Sequence, residues 1–344
     1  MRAGGEAIRN RLLAIVAVLV VTQALRASYT VTMPLAVAAV VIAAVWPVKP
    51  WLDRRLPSAL SYAGTVLVLA AILIGFIAAV YFSLAQVVRA FAQTWDRFQT
   101  MYRSATQWAD AWGVPLGAED GYARLIGFGQ GLLANTYTVF VYLGFIALLV
   151  ILGLPEVPAL RRKIRDEFDG SERRQVFEAV DDVASKIRSY LGVTTLTSLI
   201  TGIASALWAF LIGLDLAIVW GVLNFLLNYI PVIGNLVGIV PPPLYALVQF
   251  QNWSMPALAF VGFAIIQITI SNFLYPMLQG RSLALSPLAV VVALAFWSWV
   301  WGIAGALIAV PLTATLVIAC EHFQSTRWIA LLLSGSNSDQ AGGT

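Results

Sequence analysis

Asn228-Tyr229-Ile230-Pro231-Val232-Ile233-Gly234-Asn235 lies inside a stretch, Ser189 to Cys320, that holds only two charged residues, Asp215 and Arg281. Such a stretch belongs in a bilayer, yet it is not one uniform apolar run. Pro231 removes a backbone donor and strains the preceding turn, and Gly234 is expected to let the chain turn back. Asn228, Tyr229 and Asn235 place amide and hydroxyl groups around the break. Backbone that leaves the helix at membrane depth needs protein or a water-filled cavity to satisfy it. Residues 216–250 therefore read as two apolar arms of a broken hairpin, re-entrant or tilted, with Pro241-Pro242-Pro243 interrupting the second arm.

The rest of the composition agrees. Of 344 residues, 60% are hydrophobic and 11% charged, against roughly 25% charged in soluble domains. The chain reads as an all-α polytopic membrane protein in contact with lipid. A net charge of +4, with signs balanced in the polar segments, excludes a nucleic-acid partner, because phosphate binding needs a one-signed basic surface. One cysteine and one histidine rule out a disulfide within the chain and a Cys/His metal site, since structural zinc takes about four such ligands. No metal or other cofactor is expected. Cys320-Glu321-His322 could be read as a nucleophile and base, but close neighbours on a helix point in different directions. The membrane half offers no paired carboxylates for acid–base chemistry, so an enzyme is not expected.

Outward from the hairpin, six segments are expected. Residues 1–83 hold three spans, at Leu12–Leu25, Val31–Val48 and Tyr62–Phe82. Arg2, Arg9 and Arg11 precede the first, and Arg26 interrupts any small-residue cleavage site, so an uncleaved helix is expected. The positive N-terminus and the loop with Lys49, Arg54 and Arg55 go to the cytoplasm. Residues 84–135 form an extracytoplasmic arm whose apolar stripe, Leu84, Val88, Phe91, Trp95, Phe98, Tyr102, Ala105, Ala109 and Trp112, has heptad spacing. It packs on its own subunit, on another subunit or on the lipid surface. Residues 136–154 are a fourth span. Residues 155–190, with eight basic and eight acidic side chains from Glu156 to Arg188, are a cytoplasmic amphipathic segment with Ser171 as its N-cap. It is either a regulatory helix or a solvated connector. Residues 191–322 are a C-terminal transport core, interrupted near Trp299–Gly302, and 323–344 a polar tail in which Gly335–Thr344 is expected to be disordered.

Asn272 and Pro276 share a helical face at i, i+4. The amide either meets a solute or bonds the carbonyl that the proline leaves free. Asn224, Asn228, Tyr229, Asn235 and Asn272 are thus the candidate solute-binding residues, with Pro231, Gly234, Pro241 and Pro276 as gate or hinge positions. Trp297, Trp299 and Trp301 serve as an aromatic wall or as interfacial anchors. Asp215 and Arg281 are the candidates for ion coupling, because an isolated charge in a membrane half marks a site or an interface.

These residues resemble a family. Trp220-Gly221 through Asn228-Tyr229-Ile230-Pro231-x-Ile233-Gly234 to Pro241-Pro242 is similar to the signature of the autoinducer-2 exporter (AI-2E) family. So are Asn272-x-x-x-Pro276-x-x-x-Gly280-Arg281-x-Leu283-x-Leu285-Ser286 and Phe296-Trp297-x-Trp299 through Gly302-x-x-Gly305-x-Leu307-x-x-Val310-Pro311-Leu312. Pro47-x-x-Pro50 with Leu52 and Arg54-Arg55 also fits, and the likeness is closest to the branch of the autoinducer-2 exporter itself. The resemblance implies a bacterial inner-membrane exporter of small polar solutes, among them the autoinducer-2 quorum-sensing signal. It implies a homo-oligomer, a pentamer, with about eight spans of ~20 residues each. Other members look like sodium or proton antiporters, and that reading stays beside the exporter, as does a passive oligomeric channel. Where many members carry a carboxylate before the proline and an arginine after it, this chain has Tyr275 and Met277. That departure weakens cation coupling at that spot.

Overall fold

The protein's structure is a computed structural model that describes residues 2–93, 100, 136–279, 285–322 and 333. Among them the fold is helical throughout, apart from an isolated bridge at Leu285. In chain order the helices are α1 (Arg2–Ala27), α2 (Tyr29–Val45), α3 (Val48–Asp53), α4 (Ser58–Gln93), α5 (Thr136–Glu167), α6 (Gly170–Leu211), α7 (Ala217–Leu227), α8 (Ile233–Ile239), α9 (Pro241–Phe250), α10 (Ser254–Thr269), α11 (Tyr275–Gln279) and α12 (Pro287–His322). A π-turn, Ile270–Leu274, joins α10 to α11. Six of the described helices are long and apolar enough to cross a membrane, or up to seven if the bent α1–α2 pair is one span. The chain is an integral membrane protein.

The expected eight spans are not reached by that count, for two physical reasons. α1 and α2 enter that count only as one bent pair, meeting at 97°. The first hairpin arm, α7, has 11 residues, about 16 Å at 1.5 Å per residue, half of a bilayer core.

The chain divides into two compact units. The first comprises residues 1–65, 143–189 and 281–344. Its α5 runs through Pro155 and Pro158 without ending. Pro155 cannot donate to the Ile151 carbonyl one turn back, and the Tyr62 hydroxyl takes the missing donor's place. α12 is broken where expected: Trp301 and Gly302 leave helical geometry, Gly302 with φ 62° and ψ −142°, a conformation essentially confined to glycine. At the break Trp301 donates its indole N–H to Thr32 Oγ1 (3.1 Å), beside the α1–α2 bend. Trp297 stacks on Trp301 at 5.0 Å and bonds Thr313, and Arg26 lies over the exposed Trp299 ring. Two of the three tryptophans are therefore packing elements. Trp299 alone of the three is exposed.

The second unit comprises residues 66–142 and 190–280. Its core gathers Ala90, Ala209, Leu214, Trp220, Tyr245, Ala246, Ala259 and Phe263. The rings of Trp220 and Tyr245 lie 5.7 Å apart. α6 is one 42-residue helix, so the polar segment and the fifth span are continuous. No proline lies between Pro158 and Pro231 to interrupt it. Its first residue is Gly170, with φ 51°, one place before the expected N-cap Ser171. α4 carries the start of the expected heptad arm as far as Gln93. The remainder of that arm, Arg281 and most of the tail lie outside the described residues.

Candidate functional site

The hairpin is built by close approach. α7 and α8 run back against each other, and a β-carbon at Gly234 or Gly238 would collide with the Leu227 carbonyl or with Asn224 Oδ1 respectively. The Gly-x-x-x-Gly spacing thus serves the hairpin's own two arms. Gly234 does not supply the reversal expected of it, because it sits in a helix with no left-handed φ. The reversal belongs to Val232, at φ 64° and ψ −61°. The Ile233 N–H donates to the Pro231 carbonyl at 2.7 Å, which closes a three-residue γ-turn, centred on Val232, of the rare, strained hand. Val240 and Pro241 then start α9, with the proline at the first turn, where a missing N–H costs nothing.

α7 crosses α6 at a pair of glycines. A β-carbon at Gly221 would lie 2.6 Å from the Gly202 carbonyl oxygen, and one at Gly202 would lie 2.8 Å from the Gly221 oxygen. This contact brings the candidate residues at the tip onto α6. Asn228 Nδ2 donates to Ser198 Oγ at 3.0 Å, with Thr197 Oγ1 at 3.5 Å. The Tyr229 hydroxyl donates to Thr195 Oγ1 at 2.9 Å, and its ring meets Phe225 and Phe76 edge-on. Asn224 is buried between the arms and bonds the Trp220 carbonyl at 3.0 Å.

Asn235 belongs to a second small cluster. Its Nδ2 donates to Ser271 Oγ at 2.7 Å, and its Oδ1 accepts from Gln267 Nε2. Ser271 lies in the π-turn, an irregularity frequent at functional sites. Asn272, next to it, is exposed and donates to the Ile268 carbonyl at 3.1 Å. It joins neither cluster, and the carbonyl it bonds is its own helix's, not the one freed by Pro276.

Asp215 is exposed in the turn between α6 and α7. Gln249 clasps that turn, accepting from the Asp215 N–H at 2.9 Å and donating to the Gly213 carbonyl at 2.8 Å. The Trp220 indole donates to the Asp215 carbonyl. The carboxylate is thus at a surface, not within the hydroxyl and amide groups. Among the described residues no group of three or more His, Cys, Asp or Glu could hold a metal ion.

Sequence reasoning overlooked the partners. Thr195, Thr197 and Ser198 on α6 and Gln267 and Ser271 below the hairpin complete the two clusters. The available signal was the density of hydroxyls in Thr194-Thr195-Leu196-Thr197-Ser198-Leu199-Ile200-Thr201, inside a span with no charge.

The family described as AI-2E family transporter matches residues 12–325. The chain is 35% identical over 211 residues to the AI-2 transport protein TqsA of Escherichia coli K12, covering 60% of this chain and 58% of that protein. It is 32% identical over 216 residues to a Borreliella burgdorferi protein provisionally described as a transport protein, covering 62% and 57%. A sodium-lithium/proton antiporter of Halobacillus andaensis is 26% identical over 173 residues, covering 50% and 48%. The aligned part of the chain spans less than two thirds of the length of these relatives. With the match running over nearly its whole length, the chain belongs to the AI-2E transporter family.

Proposed function

We propose that the protein is a secondary exporter of small, uncharged, polyhydroxylated solutes such as autoinducer-2. The observation that carries this reading is the hairpin tip, where Asn228 and Tyr229 meet hydroxyls of α6 rather than ionised groups. Transporters place sites at discontinuous helices, and the γ-turn at Val232 makes the tip the natural gate. Asn224, Asn228, Tyr229 and Asn235 supply donors and acceptors. Asn272, exposed on its helix, is left out of the site. The likeness to a relative named for autoinducer-2 transport supports the solute class. The protein resides in the bacterial inner membrane with its N-terminus in the cytoplasm, as a homo-oligomer, a pentamer by family resemblance. Residues 84–135 then lie outside the cell membrane, 155–190 in the cytoplasm, and 191–322 form the transport core.

The test is export of labelled autoinducer-2 from cells expressing wild type, Asn228→Leu, Pro231→Ala and Asn272→Leu, at matched membrane levels. Wild type is expected to raise efflux. Asn228→Leu and Pro231→Ala should lower it at least tenfold, and Asn272→Leu should leave it within about twofold, tenfold being ~1.4 kcal/mol. Efflux equal to that of empty cells sinks the solute.

The similarity to an antiporter supports a second reading, sodium or proton exchange. Such coupling ordinarily uses a buried carboxylate. Asp215→Asn separates the two. Loss of sodium- or lithium-driven proton flux would favour exchange, and unchanged solute efflux favours the exporter.

A further inference from the structure

We infer that the buried hydroxyl face of α6, formed by Thr194, Thr197, Ser198, Thr201 and Ser205, is a section of the solute pathway, sealed in this structure by the hairpin and suited to neutral polyhydroxylated solutes. The inference rests on the transport reading above and adds residues that it does not use. These positions recur every three or four residues, so they share one face. Each is at most 2% exposed. From 194 to 205 the face is about 16 Å long at 1.5 Å per residue, half of a membrane core.

The chemistry of the face is acceptor-rich. Thr197 and Thr201 spend their hydroxyl protons on carbonyls one turn back, at 2.9 and 2.8 Å, which leaves their lone pairs free to accept. Ser198 accepts from Asn228. Thr194 lies beside the hydroxyls of Tyr190 and Tyr275. Ser205 Oγ is buried with no hydrogen-bond partner, and so is Ser83 Oγ on α4. α4 approaches the surroundings of α6 at two points. Phe76 touches Tyr229, which bonds Thr195, and fourteen residues later on both helices Ala90 shares a cluster with Ala209. By that count Ser83 pairs with Gly202, about one turn (~4.5 Å) before Ser205.

Packing alone does not call for this. The Gly202–Gly221 crossing already brings the backbones together. Alanine at 205 would fill the same space without burying an unpaired hydroxyl, which native interiors avoid. Residues 190–211 include no Asp, Glu, Lys or Arg. Hydroxyl acceptors on this uncharged half of α6 suit a ligand that carries many O–H donors and no charge. For the solute to reach them the tip must lift, breaking the Asn228–Ser198 and Tyr229–Thr195 bonds.

The native chain has a single cysteine, Cys320, so Cys320→Ala gives a background for reading thiols one at a time. In it, Ser198→Cys, Thr201→Cys and Ser205→Cys probe the face. Leu199→Cys, Ile203→Cys and Leu207→Cys probe the opposite surface of the same helix, where those residues are 50%, 60% and 55% exposed. Full-length protein in proteoliposomes is labelled with a small water-soluble methanethiosulfonate, and thermal unfolding identifies any variant that has not folded. The row positions, hidden in this structure, are expected to react at least tenfold faster than the exposed ones, which face lipid. Ribitol should slow that reaction at least threefold and ribose 5-phosphate should not. Row thiols no faster than the lipid-facing ones, or labelling that ribitol leaves unchanged, overturns the inference. Autoinducer-2 efflux can fail while this pattern holds, in which case the named solute falls and the pathway stands.

Discussion

Val232 carries the reversal of the hairpin in a conformation that β-branched residues rarely adopt. Its side chain is exposed, so no packing of its own holds it there. The contacts of Gly234 and Asn228 on either side fix it instead. Holding a residue in such a region costs on the order of 1–3 kcal/mol, while glycine adds roughly 0.5–1 kcal/mol of unfolded-state entropy. Val232→Gly is therefore expected to stabilise the protein by about 1 kcal/mol, read as a rise in unfolding temperature in detergent. A fall would mean that the turn is not under strain. The sequence made the break legible through Pro231, Asn228 and Asn235. It could not say which residue turns left-handed. Glycine is the prior choice for that role, and here glycine is instead consumed by the contact between the arms.

At the scale of elements, two glycine positions carry separable predictions. Gly221 faces the Gly202 carbonyl with no space for a methyl group. Gly221→Ala should overpack the α6–α7 crossing and cost about 1–3 kcal/mol of stability. Gly302 has open space around it, so Gly302→Ala costs only through its φ of 62°, on the order of 1–3 kcal/mol. Denaturation midpoints measure both, and an unchanged midpoint for Gly221→Ala would sink the close crossing. The kink at Trp301–Gly302 could be read in advance because aromatic residues and a glycine divide a segment too long for one crossing. The continuity of α5 through Pro155 could not be, because the donor that replaces the lost bond is Tyr62, far away in sequence. The hydroxyl face of α6 was hidden for a related reason. Serine and threonine at helical spacing are ordinary in membrane helices, where they bond their own carbonyls. Only the placement of α7 against that face points to the common role proposed for them.

For the whole molecule, composition was enough to assign the class: few charges, long apolar helices and one cysteine admit little but a polytopic membrane protein. The number of crossings was less legible. It depends on a 97° bend and on an arm of 11 residues, neither of which hydropathy can measure. The oligomer proposed on family resemblance predicts a detergent-solubilised particle whose protein mass is a multiple of 37.2 kDa, five times that value for a pentamer. Light scattering coupled to size exclusion decides it, and a particle of one chain's mass would remove the oligomer.

The glycine crossing has one more consequence. Its two carbonyl oxygens each occupy the place that the other residue's methyl would need, so the seal between hairpin and helix has a tolerance of about one carbon atom. Under the gating proposed above, a valve seated so closely can be held ajar by the smallest possible side chain. Alanine at 202 or 221 then becomes a tool as much as a lesion, a wedge that trades tightness for leak and lets the rate of passage be read without waiting for the tip to move.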